Sequence, residues 1–245
     1  MMLRWPAVAT LTALGASFAL AQNSKPPEKW SYEEAYRLLT DSPWAPAKTG
    51  IDVTFGHETI YRDNYAGVRT REVTPNRQET IGARLTPGRS APLAAISVLW
   101  WSSRTVRLAE QRVAQFRKRL PTDQKLEALL TEHLIIAVEG SEPLRILRDA
   151  GENLPDSVYL ELPGGRTLEP LEIKFAEGER AGDDRVFFHF PRAVNGDTTI
   201  PAGTASAIFV CKAVSQKPVP GQPNSLALRV QFQPSKMIWA GQPDL

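Results

Sequence analysis

From Val158 onward apolar side chains return at every second position, a period that leaves the last third of the chain little choice but strands. Val158, Leu160 and Leu162 alternate with Tyr159 and Glu161; Leu171, Ile173 and Phe175 with Glu172 and Lys174; Val186, Phe188 and Phe190 with Phe187 and His189. Residues 206–211 form a further run, Leu226, Leu228, Val230 and Phe232 alternate with Ala227, Arg229 and Gln231, and Met237 with Trp239 makes a last short strand. Successive side chains of a strand point to opposite faces, so this pattern gives each strand one dry and one wet side. Pro163-Gly164-Gly165 and Asn195-Gly196 are turn signals between such runs. Strands of this kind joined by short turns predict an antiparallel meander.

Upstream the period is that of helices mixed with buried strands. Ser31-Tyr32-Glu33-Glu34 is a capping box ahead of an apolar stripe of Tyr32, Ala35, Tyr36 and Leu39, and Asp41-Ser42-Pro43 ends that helix. Ile51, Val53 and Phe55 alternate as a short strand; residues 57–90, charged and holding Pro75 and Pro87, read as a long loop of a composition compatible with disorder. Leu93 to Trp101 suits a buried strand, and Ser102-Ser103 caps a helix from Arg104 to about Leu120 with a stripe of Val106, Ala109, Val113, Phe116 and Leu120. Pro121 stops it. Thr122-Asp123 caps a second helix, Leu134 to Val138 is another buried strand, and Gly140-Ser141 opens a short helix ending at Gly151. The expected fold class is α+β, with helices packed on a mainly antiparallel sheet and the strand meander in the C-terminal third. The expected division is a signal peptide over 1–21, a leader and capped helix over 22–50, and a single α+β domain over 51–245 that includes the 57–90 loop and the proline-rich loop Lys217–Pro223.

The N-terminus predicts export. Arg4 is followed by an apolar stretch to Phe18 that closes on Ala19-Leu20-Ala21, small residues suited to a signal peptidase, with polar Gln22-Asn23-Ser24-Lys25 after it. The stretch is short for a membrane span, and no later segment is long and apolar enough for one. Cleavage near Ala21/Gln22 makes the protein periplasmic or extracellular and leaves 28 basic residues against 27 acidic ones, because Arg4 is lost from the full chain's 29. A net charge near +1 makes no global case for nucleic acid. Cys211 is the sole cysteine, so the chain forms no internal disulfide; it sits in the strand-like run Ala207-Ile208-Phe209-Val210-Cys211, as a small buried hydrophobe would.

Signatures of chemistry are sparse. His57-Glu58-Thr59-Ile60-Tyr61 has Tyr61 where a zinc-protease motif needs its second histidine, so it reads as a loop. His133 and His189 are the other histidines, and neither has a sequence-local serine, cysteine or carboxylate that marks it as a base. Paired acids such as Glu33-Glu34 and Asp183-Asp184 read as solvated, and there is no nucleophile elbow, phosphate-binding glycine loop or C-x-x-C. No catalytic residue, no cofactor and no metal ligand is expected from these residues. The helix from Arg104 stands out instead: Arg104, Arg107, Arg112, Arg117, Lys118 and Arg119 face only Glu110 in charge. At about 100° per residue, Arg104, Arg107 and Lys118 fall opposite the apolar stripe. They are a candidate docking surface for an acidic envelope component or protein partner, and the absence of interleaved aromatics on that face argues against single-stranded nucleic acid.

Trp30-Ser31 and Leu39-x-Asp41-Ser42-Pro43-Trp44-Ala45 resemble the start of a group of uncharacterised exported proteins common in Acidobacteria. Trp101-Ser102-Ser103-Arg104-Thr105-Val106-Arg107-Leu108-Ala109, Phe190-Pro191-Arg192 and the tail from Lys236-Met237-Ile238-Trp239-Ala240-Gly241 to Leu245 are similar to later segments of that group. The resemblance implies export and a bacterial source, and it implies no activity. The function expected from the sequence is a non-enzymatic binding module of the envelope. The alternative is a hydrolase whose site is assembled from distant residues around His189 or His133.

Overall fold

A computed structural model describes residues 25–47, 50–55, 60–63, 67–70, 78–80, 96–117, 132–177, 184–217, 219 and 223–245. In chain order the helices are α1 (Tyr32–Leu38), α2 (Arg104–Phe116) and α3 (Ser141–Asp149). The strands are β1 (Gly50–Phe55), β2 (Ile60–Asp63), β3 (Gly67–Thr70), β4 (Gln78–Thr80), β5 (Ser97–Trp100), β6 (His133–Glu139), β7 (Val158–Leu162) and β8 (Arg166–Leu168). They continue with β9 (Glu172–Ala176), β10 (Arg185–Pro191), β11 (Ala193–Val194), β12 (Asp197–Thr198), β13 (Ala207–Val214), β14 (Pro223–Phe232), β15 (Ile238–Trp239) and β16 (Gln242–Pro243). The fold is α+β with antiparallel sheets, as the alternation predicts.

Two sheets hold the core between them. One has the order β4-β1-β14-β13-β7-β8 and the other β5-β6-β10-β9. In the first, Phe209 lies opposite Leu160 on one side and Val230 on the other, and Cys211 lies opposite Val158 and Leu228, so the alternating apolar positions form one continuous face. In the second, Phe188 lies opposite Ile136 and Ile173. The faces meet through aromatic rings: Phe188 and Phe209 centroids are 5.1 Å apart, and Trp100 meets Phe232 edge-on at 5.1 Å. Cys211 is buried in this layer, and burial pushes its thiol up to about 12, so it is a protonated packing residue.

β6 is apolar on both faces because both are covered: Leu134 through Val138 are all buried. Its second face lies toward α2, where Trp101 packs on Phe187 with centroids 5.6 Å apart and Glu110 reaches Arg185 at 2.8 Å. The same three-four spacing that predicts the helix buries Val106, Ala109 and Val113. Ser103 is its N-cap, and the helix ends at Phe116; the expected continuation to Leu120 and the second helix after Pro121 lie outside the described residues.

The C-terminal strands close the structure onto this helix. Ala240 and Gly241, with φ of 49° and 78°, turn β15 into β16. Asp244 then accepts bonds at the N-terminus of α2, while the Trp44 indole N–H donates to its carbonyl at 2.9 Å. Trp44 in turn accepts from the Trp100 amide at 2.8 Å, so three distant segments meet at one point.

The loop expected over 57–90 needs correction in part. The structure pairs β2 with β3 as a hairpin and adds β4 to the edge of β1, with Val53 opposite Glu79. These strands are three or four residues long, too short for an apolar period to register; β2 and β3 pair with each other, and β4 pairs with the open edge of β1. Residues 1–21, expected to be a signal peptide, and the rest of that loop lie outside the described residues.

Candidate functional site

Two places gather polar side chains that sequence spacing does not bring together. The first is the contact between α1 and α2. Ser31 and Glu34 make both bonds of the capping box: the Glu34 amide donates to Ser31 Oγ at 3.2 Å and the Ser31 amide to Glu34 Oε2 at 2.7 Å. The Lys25 ammonium, 2.6 Å from the same carboxylate, is the main reason that Glu34 titrates below the usual carboxylate range. The helix so fixed lies along α2 and is tied to it by two arginines. Arg112 donates through Nε to the Trp30 carbonyl at 2.8 Å and through Nη1 to Gln115 Oε1 at 3.0 Å, with its guanidinium 4.5 Å from the Phe116 ring centroid. Arg117 donates to the Tyr32 hydroxyl at 2.7 Å and covers the Tyr32 ring.

Aromatic rings interleave with these cations. Tyr32 stacks on Tyr36 with an interplanar angle of 11° and meets Phe116 edge-on, and Tyr36 and Phe116 are exposed. These rings accompany Arg112 and Arg117, and read alone α2 does not reveal the tyrosines that α1 lays beside it. The rings do not form an open row, since Tyr32 is already stacked on Tyr36 and capped by Arg117.

Of the three residues singled out as a docking surface, Arg104 is exposed, Arg107 is half-buried and engaged, and Lys118 lies outside the described residues. The N-terminus of α2, a natural place for an anion, is filled by the protein itself. Asp244 Oδ1 accepts from the Arg104 amide at 2.6 Å and Oδ2 from the Thr105 amide at 2.9 Å, and Ser103 Oγ accepts from the Val106 amide at 3.1 Å. Glu110, the acid inside the basic helix, turns inward. Arg185 bridges it to Glu139, at 2.8 Å and 2.7 Å, beneath the Trp101 ring. Burial, opposed by Arg185 and reinforced by Glu139, pushes the Glu110 carboxyl up to about 8.

The second place is on the four-stranded sheet. His189 lies opposite Ile135 and His133 opposite Pro191, which makes the two histidines diagonal neighbours on the face that looks toward α2. Their Nδ1 atoms are 3.3 Å apart and their rings are nearly perpendicular, at 85°. Glu172, on β9, is the cross-strand partner of His189 and is ion-paired with Lys174 at 2.8 Å. Burial, and next the Lys174 charge, lower His189 to about 4, so its imidazole is neutral at pH 7. The Lys174 ammonium is the first cause that draws Glu172 below the usual range.

The sequence left these histidines without a partner, and the partner of each turns out to be the other. No hydroxyl or thiol hydrogen-bonds to either imidazole among the described residues. His57 lies outside them. A cavity of about 180 Å³ is lined by Leu134, Arg192, Thr198, Ile200, Ala202, Pro243 and Leu245, and neither histidine reaches it. It is smaller than the roughly 300–1,000 Å³ usual for ligand pockets. Glu172 and Asp244 escaped the sequence reading, since an acid in an alternating strand or a terminal tail carries no local mark of what it will face.

An α+β protein built around two antiparallel sheets of six and four strands is the class that the architecture defines. Compared with known proteins, the chain matches no protein-family model, no curated protein and no solved structure.

Proposed function

We propose that this is an exported bacterial protein that acts in the cell envelope by binding, not by catalysis, and that it docks an anionic envelope component on the α1–α2 face. One observation carries the reading. Among the described residues, the guanidinium groups of Arg104, Arg112 and Arg117 have no carboxylate partner; Arg112 and Arg117 are held by a backbone carbonyl, an amide oxygen, a phenol and aromatic rings. Neutral partners fix the planes of these two groups without cancelling their charge, which favours forked recognition of carboxylates or phosphates. Export rests on residues 1–21, with cleavage near Ala21/Gln22, and the bacterial source on the resemblance of the segments around Trp30, Trp101 and Trp239. No helix of the described residues is long and apolar enough to cross a membrane, which accords with a mature chain that reaches the envelope by docking. The hydrolase alternative would need a hydroxyl or thiol delivered to His133 or His189, whose imidazoles bond each other instead.

The test is retention of the protein on envelope fractions at low salt. The double change Arg104→Glu with Arg117→Glu is expected to abolish retention and to shift the melting temperature little, since the Arg117 bond to Tyr32 is exposed, and salt near 1 M is expected to release the unaltered protein, because screening is then within about 3 Å. Undiminished retention of the double variant would show that the face is only solvated.

A further inference from the structure

We propose that His133, His189 and Glu172 form a binding site for a divalent transition-metal ion of the zinc class. Two nitrogen ligands, each about 2.0–2.1 Å from a tetrahedral zinc ion, stand about 3.3–3.4 Å apart. The Nδ1 atoms of His133 and His189 stand 3.3 Å apart, on adjacent strands whose register holds both rings on one face. That separation also suits a single shared proton; a metal ion would take both Nδ1 lone pairs, with the ring that held the proton carrying one on Nε2 instead and the Nδ1 proton passing to solvent.

The third ligand comes from the next strand. Glu172 is the direct cross-strand neighbour of His189, and its charge acts on both imidazoles. Among the described residues no three histidine, cysteine or acidic groups stand ready as a complete ligand set, and the Glu172 carboxylate is turned to Lys174. That ion pair is easily exchanged. Its members keep 45% and 44% of their side-chain surface exposed, and pairs of this kind contribute about 0–1 kcal/mol. Turning the carboxylate from Lys174 to the ion would give two imidazoles and one oxygen, with a remaining position for water. The ligand types, imidazole with carboxylate, suit zinc. The three ligands belong to β6, β10 and β9, so a bound ion would fasten the edge strand β9 to the interior of its sheet.

The experiment is a titration of the whole protein with Zn²⁺ followed by calorimetry, with Co²⁺ absorption as a reporter of tetrahedral geometry. One Zn²⁺ per chain is expected, with intense visible Co²⁺ bands. His133→Gln is expected to abolish binding, and Glu172→Gln to weaken it by no less than the about tenfold that loss of an outer-shell partner costs. Lys174→Gln is expected to strengthen it, since it frees the carboxylate, and a purely structural pair of histidines would not respond to that change. Absence of Zn²⁺ binding by the unaltered protein, or binding unchanged in His133→Gln, overturns the site. Should a histidine variant fail to fold, the exposed Lys174→Gln decides: an unchanged affinity there overturns the three-ligand site.

Discussion

Glu110 and His189 both have strongly displaced acidities, and their effects on stability have opposite signs. The folded protein holds the Glu110 proton up to about 8, whereas an unfolded chain releases it near 4.5. Between those values the native state binds more protons, so stability falls as pH rises. His189 titrates near 4 when folded against 6.5 ordinarily; there the native state binds fewer protons, and stability falls as pH drops through that window. The two slopes oppose one another between about 4.5 and 6.5, and above 6.5 the Glu110 slope stands alone. Glu110→Gln is expected to flatten the decline in urea midpoint between about pH 6.5 and 8, and His189→Gln the decline between about 6.5 and 4. Parallel profiles for a variant and the unaltered protein would contradict the corresponding assignment. Neither group announces its state in the sequence: Glu110 reads as the lone acid of a basic helix, and only the approach of β10 supplies Arg185.

At the scale of elements, signals within a few residues were readable. The Ser31–Glu34 box forms as expected, and Ser31→Ala should cost about 1 kcal/mol in denaturant unfolding. Asn195 and Gly196, with φ of 53° and 87°, make the two-residue turn between β11 and β12 that their pairing suggests. Gly196→Ala should therefore lower stability by about 1 kcal/mol, although the added methyl group would touch nothing within 4 Å. A cost near zero would mean that the turn relaxes into another type. β9 shows where such reading stops. Leu171, Ile173 and Phe175 alternate just as the core strands do, yet Leu171 is 61% and Phe175 37% exposed. The cause is the strand's place at the end of the order β5-β6-β10-β9, which no local period encodes.

Across the whole molecule, stability rests on the seam between the two sheets and on the tail that caps α2. Phe209 touches both Phe188 and Phe190 from the opposite sheet, and Phe209→Ala should cost about 3–5 kcal/mol. Asp244→Ala removes two charge-assisted bonds from the start of α2 and is expected to cost about 2 kcal/mol. A limited effect of Phe209→Ala, below about 1 kcal/mol, would mean that the sheets do not depend on this contact.

What the sequence determined by itself is what is decided between near neighbours: the period of the longer strands, the caps of α1 and α2, the tight turn at Asn195-Gly196, the α+β class. What only the tertiary structure decided is which edges stay open and which distant side chains meet. His133 and His189 are brought together by a register between β6 and β10, Arg112 and Arg117 find their rings because α1 folds back along α2, and Asp244 reaches a helix that starts 140 residues earlier. Local preferences act through the covalent chain and are written in adjacent residues, whereas these meetings depend on how whole faces pack, and many sequences could satisfy the same faces.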